Sequence, residues 1–377
     1  MQFSDLHLSE SILQAVADAG YSVPTPIQVE AIPAILTGRD VIGCARTGTG
    51  KTAAFALPLI QRLIESWTAP REIRVRALVL SPTRELAIQL HHNIELFCAH
   101  AELTTLPVYG GTGYEEQVLA LREGIDLLVA TPGRLLDLID RKALRLDQVE
   151  VFVVDEADRM LDMGFAPDLR RIAPMLPQSR QALFFSATMP KEALQLAGGI
   201  LQKPMQVFSD PVSTAAENIV QTLYYVEKNN KSALLEWLLN RMDYERALVF
   251  CRTRRGADRL TERMMKAGLP AAVLHGDKEQ QHREAIVEAF RTGAIPVLIA
   301  TDLAARGIDI EDISHIINFD LPHDPDTFIH RIGRTARAGA SGLALSFCDP
   351  TEKNYLREIL NLLGEEMAVE EDHPFHS

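Results

Sequence analysis

Positive charge is in short supply in this chain: 38 Lys and Arg face 51 Asp and Glu, a formal net charge of −13. That excludes the broad basic surface by which many nucleic-acid binders gather phosphates, so any such site must be a local cleft. Taken alone, the balance favours an enzyme acting on a small molecule. Cysteine is scarce too. Cys44, Cys98, Cys251 and Cys348 lie far apart with no CxxC pair, which argues against a disulfide framework or a structural zinc site and suits a reducing cytosol. No apolar run reaches the ~18 residues needed to cross a bilayer, so no membrane partner is expected. The opening residues, Met1-Gln2-Phe3-Ser4-Asp5, lack the basic start and apolar block of a secretory signal, and a cytoplasmic protein is the expectation. Low-complexity tracts and short-period repeats are missing as well.

What is present is an ordinary globular composition, 47% apolar and 24% charged, spread over 377 residues. That length exceeds what one core usually serves, so two domains of roughly 150–200 residues are expected. Short apolar, β-branched runs recur, each followed by a turn and a helical pattern. They are 40–43, 77–80, 127–130, 151–154 and 182–185, then 247–250, 296–299 and 315–318. They are apolar without alternation, as strands are when helices cover both faces of a parallel sheet. The fold class is therefore α/β, with ligands at the carboxyl ends of the strands. A small, polar stretch without apolar period separates the two series. It divides the chain into residues 1–209, a linker at 210–217, and residues 218–377. The last residues, from Glu365 to Ser377, are acidic and read as a helix end followed by a tail.

Ala45-Arg46-Thr47-Gly48-Thr49-Gly50-Lys51-Thr52 follows one predicted strand and precedes an apolar helix, the context of a phosphate-binding loop. Backbone N–H groups of Thr47, Gly48, Thr49 and Gly50 can converge on phosphate oxygens at the helix N-terminus. Lys51 would reach the β- and γ-phosphates and Thr52 would ligate Mg²⁺. Ala45 stands where the strict motif has Gly. The strand at 151–154 then delivers two carboxylates, Asp155 and Glu156. Side-chain alternation along a strand would point them in different directions. Asp155 would hold the metal and Glu156 would orient and deprotonate the attacking water.

Asp155-Glu156-Ala157-Asp158 spells the signature of the DEAD-box helicases, and the chain resembles that family from Phe3 to Gly339. Ala at the Ala45 position is usual there. The resemblance implies two tandem RecA-like domains, ATP and Mg²⁺ as cofactors, and RNA as partner. Gly20-Tyr21-Ser22-Val23-Pro24-Thr25-Pro26-Ile27-Gln28 is similar to the family's adenine-reading motif, with Gln28 suited to a donor–acceptor pair and Tyr21 near the base. Read without the family, the same PTPIQ is a turn capping a helix. Ser186-Ala187-Thr188, Asp158 and His330 are implied to couple nucleotide state to RNA. In His330-Arg331-Ile332-Gly333-Arg334-Thr335-Ala336-Arg337, Arg334 and Arg337 sit one helical turn apart and would act on the γ-phosphate as arginine fingers. The family usually has Gly at the Ala336 position. Asp309 is implied to meet the ribose.

For RNA, the resemblance singles out Arg84, Gly110, Gly111, Thr131, Gly133 and Arg134 in the first half, and Arg252, Thr253, Arg283, Thr301 and Gly307 in the second. Hydroxyls, backbone N–H groups and single arginines suit phosphates and carry little base information. Helix N-termini would do part of what surface lysines do elsewhere. The expectation is an RNA-dependent ATPase whose two domains close on ATP and RNA. The helix after Arg134 would bend one strand so that a short duplex separates locally. Binding is expected to be sequence-independent and strongly weakened by salt, with ribonucleoproteins as further partners and a monomeric chain. Two alternatives stay open: an ATP-gated RNA clamp that does not unwind, and a DNA helicase with the same engine. A metabolic kinase is disfavoured by the arginine pair in a second domain.

Overall fold

The computed structural model describes residues 1–45, 49–66, 75–208, 219–305, 313–335, 342–364 and 366–376. The chain divides into two compact units, Met1–Asp210 and Pro211–Ser377. The expected linker, 210–217, lies outside the described residues, as do Arg46, Thr47, Gly48, Gly307, Asp309 and Arg337.

In the first unit the strands are β1 (Val41–Cys44), β2 (Ala77–Leu80), β3 (Thr105–Val108), β4 (Leu127–Ala130), β5 (Val151–Val154), β6 (Gln181–Ser186) and β7 (Met205–Phe208). They form one sheet in the order β3-β4-β2-β5-β6-β1-β7. The pairings are parallel, with Val151 opposite Ala77 on one side and Gln181 on the other. Parallel neighbours require crossovers, and helices supply them on both faces. The unbroken apolar runs follow from this. Val151 and Val153 pack into one core layer with Phe55 and Leu57, while Phe152 and Val154 pack into the other with Leu135 and Met160.

The second unit has β8 (Ile219–Tyr225), β9 (Ala247–Phe250), β10 (Ala271–Leu274), β11 (Val297–Ala300), β12 (His315–Asn318), β13 (Gly342–Cys348) and β14 (Ala368–Val369). Their order is β10-β11-β9-β12-β13-β8-β14, again with parallel pairings. Taken strand for strand this repeats the first sheet, so β8 stands where β1 stands and β12 where β5 stands. In a parallel sheet all carboxyl ends face one way, and the loops that follow them collect along one rim.

All eight expected strands are present, three of them with ends shifted by one residue. Six further strands appear among the described residues. Four are edge strands, β3, β7, β10 and β14, where one side of the ladder is free and most residues are half-buried or exposed. The expectation of a C-terminal tail is overturned. The helix Lys353–Leu363 ends at Gly364 (φ +69), and the chain returns as β14 beside β8. Phe375 then packs against the core that contains Tyr224 and Phe347.

Candidate functional site

The loop after β1 leads into the helix Lys51–Glu65, whose N-cap is Gly50 in a left-handed conformation (φ +86). A Cβ there would overlap Gln28 Nε2, so glycine is demanded by backbone and neighbour together. Gln28 is buried at the start of the helix Pro26–Leu36. Its Oε1 accepts from Thr25 N (2.9 Å), and its Nε2 donates to Gly50 O (3.1 Å). The residue thus caps its own helix and touches the phosphate loop, so both readings of the motif coexist. Tyr21 is exposed and its ring lies 6.0 Å from that of Phe97. Thr49 and Thr52 are partly buried.

Lys51 is buried. Its Nζ has no hydrogen-bond acceptor among the described residues and lies 3.6 Å from Glu156 Oε1. Burying an ammonium with one distant carboxylate leaves most of its hydration unreplaced. Glu156 is also buried, and its other oxygen lies 3.6 Å from Arg159 Nε. Asp155 extends the ladder one residue past β5 through a bond from its N to Leu80 O (3.0 Å). Glu156 then turns left-handed (φ 54, ψ 50) as the cap of the helix Ala157–Asp162. The divergence of the two carboxylates therefore comes with this turn and not from strand alternation. Burial pushes the Asp155 carboxyl up to about 7, and the neighbouring Glu156 charge adds to the effect.

Asp158 and the strand end at β6 form one hydrogen-bonded group. Asp158 Oδ2 accepts from Thr188 N (2.8 Å) and Thr188 Oγ1 (2.9 Å), while Ser186 Oγ accepts from Asp158 N (3.1 Å). Ala45 N, just past β1, donates to Ser186 O (3.1 Å). The three carboxyl-end loops of β1, β5 and β6 are thereby fastened together.

A second group lies at the ends of β2, β3 and β4. Arg84 opens the helix Arg84–Phe97, with Thr83 as N-cap accepting from Leu86 N (3.3 Å). Gly111 (φ +89) lies so close that a Cβ would overlap the Arg84 guanidinium, whereas one on Gly110 would sit 3.6 Å from Arg84 Nη2. Thr131 caps the helix Pro132–Asp140, and Gly133 is exposed with open space beside it. Arg134 donates to Gln117 Oε1 (2.8 Å) and Thr112 O (3.3 Å). Gln117 in turn donates to Tyr109 O (3.2 Å) and Thr112 Oγ1 (2.7 Å). This buried glutamine, which sequence reasoning passed over, joins the Gly110-Gly111 turn to Arg134. It carries no motif. Arg159 was passed over for the same reason.

In the second unit Thr253 caps the helix Arg254–Lys266 by accepting from Gly256 N (3.1 Å), as Thr83 does in the first. Arg252 Nη2 donates to Leu321 O (2.9 Å) and Glu352 Oε1 (2.5 Å). Thr301 is buried at the end of β11, and Arg283 is partly buried in the helix Gln280–Arg291. The helix Pro325–Ile332 carries His330, which is partly buried, and stops before Arg334. The expectation of a helical spacing between Arg334 and Arg337 does not hold on the side of Arg334. That residue lies in a turn after Gly333, with its N donating to Arg331 O (3.2 Å), and is buried. Arg331, by contrast, grips Asp302 with two bonds (2.6 and 2.8 Å) inside the unit.

No group of three or more His, Cys, Asp or Glu suited to a metal occurs among the described residues. A divalent ion at Asp155 and Thr52 would therefore draw most of its ligands from phosphate and water. The buried Asp155 carboxyl, whose charge burial disfavours, fits such a cation, and the Lys51 ammonium, with no hydrogen-bond acceptor among the described residues, fits an anion.

Residues 25–196 match the model of the DEAD/DEAH box helicases, and residues 230–339 match that of the helicase conserved C-terminal domain. RNA helicase CrhR of Synechocystis is 44% identical over 368 residues, which is 97% of this chain and 74% of that protein. DEAD-box ATP-dependent RNA helicase CshA of Bacillus cereus is 43% identical over 357 residues, 95% of this chain and 67% of that protein. Among solved structures, S. cerevisiae Dbp5 bound to RNA and ADP BeF3 superposes with a TM-score of 0.86 at 31% identity. The match covers 98% of this chain and 95% of that one.

Proposed function

The chain belongs to the DEAD-box family of ATP-dependent RNA helicases, and on that premise we propose that it couples ATP hydrolysis on RNA to local separation of short duplexes or remodelling of RNA–protein complexes. The observation that carries the reading is the buried Lys51 ammonium, without a hydrogen-bond acceptor among the described residues and set beside Glu156 and Asp155. A triphosphate in the Gly50 loop gives Lys51 the acceptors it lacks. Glu156, no longer facing Lys51 alone, would then orient water and take its proton. Asp155 and Thr52 would hold a magnesium ion, which would supply charge neutralisation for the phosphates.

Gln28 reads the adenine edge, with Tyr21 against the base and Asp309 at the ribose. Arg84, Gly110, Gly111, Thr131, Gly133 and Arg134, with Arg252, Thr253, Arg283, Thr301 and Gly307, take the RNA backbone. ATP and RNA together draw the two units shut, and Arg334 and Arg337 stabilise the charge on the γ-phosphate. The Asp158–Ser186–Thr188 group and His330 transmit the nucleotide state. The helix after Arg134 bends one strand, which a duplex cannot follow.

The test is the ATPase rate with and without single-stranded RNA. RNA should stimulate the wild type, and Glu156→Gln should lower the stimulated rate by about 10²-fold or more while ATP-dependent RNA binding persists. Wild-type hydrolysis by Glu156→Gln in the presence of RNA would sink the assignment. GTP should not substitute for ATP, and equal activity with GTP would remove Gln28 from the base.

A further inference from the structure

The two sheets share one strand order, so each strand of the first unit has a structural counterpart in the second. The first residue of the helix after β1 is Lys51, and the first residue of the helix after β8 is Lys231. Both are buried. Their surroundings differ. Among the described residues Lys51 has one carboxylate at 3.6 Å and no hydrogen-bond acceptor. Lys231 has Glu352 Oε2 at 2.5 Å, Asp349 Oδ2 at 3.3 Å and Asp320 Oδ1 at 3.8 Å. Asp155 and Asp320 each donate their N to the end of the equivalent neighbouring strand, Leu80 O (3.0 Å) and Phe250 O (3.2 Å), and Asp349 and Glu352 lie beyond β13 as Thr188 lies beyond β6. The place that awaits phosphates in the first unit is closed by the protein's own carboxylates in the second.

Glu352 is the hub of this cluster. It is 1% exposed and receives four hydrogen bonds. Lys231 Nζ (2.5 Å) and Asp349 N (3.3 Å) bond to Oε2. Arg252 Nη2 (2.5 Å) and Leu321 N (3.2 Å) bond to Oε1. With Lys231 balancing one oxygen, the other is a fixed anion for Arg252. That arginine is held further by Leu321 O, by its own N on Asp320 Oδ2 (2.8 Å) and by the Tyr355 ring at 5.6 Å. Its Nε and Nη1 have no protein acceptor among the described residues, and its side chain is 35% exposed. An arginine pinned at one amino group and open along the rest of its fork is preorganised for a bidentate oxyanion.

We propose that Glu352 is a positioning residue for RNA binding: backed by Lys231, it sets Arg252 and the Arg252–Thr253 turn in the orientation that takes an RNA phosphate. The idea rests on the reading of that turn as an RNA contact, and it adds a role for the otherwise unassigned Lys231–Glu352 pair. Ordering the arginine before RNA arrives removes the cost of immobilising it on binding.

The experiment measures RNA-stimulated ATPase against concentration of a single-stranded oligouridylate, with kcat, KM for ATP and thermal midpoint recorded for each variant. Arg252→Ala should raise half-saturating RNA about tenfold and lower the salt slope by about one. Glu352→Gln should raise half-saturating RNA by a similar factor, with KM for ATP and kcat at saturating RNA kept. The combined variant should be no worse than Arg252→Ala, because both changes remove one contact. If Glu352→Gln fails to fold, Lys231→Met with Glu352→Gln removes the buried pair together, which proteins tolerate better, and the same shift is expected. A folded Glu352 variant with wild-type half-saturating RNA, or effects that multiply in the combination, overturns the positioning role. A silent Arg252→Ala overturns instead the reading of the turn as an RNA contact.

Discussion

Glu156 shows how much a single residue's backbone decides. Its left-handed conformation costs a non-glycine residue about 1–3 kcal/mol, and such strain persists where the surroundings hold it. Here the turn sets its carboxylate between Lys51 and Arg159. Gly111 is the converse case, a position that only glycine fits. Gly111→Ala would force a Cβ into a conformation costing about 1–2 kcal/mol and push it against the Arg84 guanidinium. The expected outcome is a lower thermal midpoint and several-fold more RNA for half-maximal ATPase stimulation, with KM for ATP unchanged. Gly110→Ala is the control. Its φ is not positive and its Cβ would make ordinary contact with Arg84, so it should change RNA affinity less. Equal effects from the two alanines would show that Arg84 placement is not what the turn provides.

At the scale of elements, sequence and structure agree where burial is complete. Ala247-Leu248-Val249-Phe250 is readable because its residues serve two core layers, Ala247 and Val249 in one, Leu248 and Phe250 in the other. β3 is not, because Thr105-Leu106-Pro107-Val108 is half-buried at an edge and includes a proline that an edge tolerates. The site follows the same division. Lys51, Asp155, Glu156 and Asp158 announce themselves by motif, since the phosphate and metal chemistry proposed for the first three would fix both residue type and spacing. Gln117 does not, because its work is to satisfy Tyr109 O, Thr112 Oγ1 and Arg134 across three elements that only folding brings together. Arg334 marks a third case: the motif names the residue, but the helix ends two residues before it. Gln117→Ala leaves a carbonyl and a guanidinium short of partners, a loss of about 1–3 kcal/mol. It should raise half-saturating RNA while leaving RNA-free ATPase at the wild-type rate. A variant that lost stability but bound RNA normally would reduce Gln117 to a packing role.

For the molecule as a whole, a net charge of −13 and a nucleic-acid partner are reconciled by where the polar groups stand. The candidate contacts lie mainly in loops after strand carboxyl ends, and Thr83 and Thr253 cap equivalent helices in the two units. The repeated sheet is finished at its last edge by the C-terminal segment, and that closure carries a titratable group. His373 is buried, and neither ring nitrogen has a hydrogen-bond partner among the described residues. Its neighbours are the Tyr224 and His376 rings, each 5.5 Å away. Burial pulls its pKa below the ordinary 6.5, and His376 adds to this while Glu370 and Asp372 oppose it. A histidine depressed in the docked state binds fewer protons there than when released. Docking is therefore fully stable above about pH 6.5 and weakens as pH falls from there towards the docked pKa. Amide exchange at Glu370, whose N donates to Leu223 O (2.9 Å), reports on the docking. Corrected for intrinsic rates, its protection should fall between about pH 7.5 and about pH 5.5. In His373→Phe, which keeps the ring and removes the proton site, protection should be independent of pH over that range. If the wild type is equally protected at both values, or His373→Phe loses protection in parallel with it, the histidine does not govern the closure of this edge.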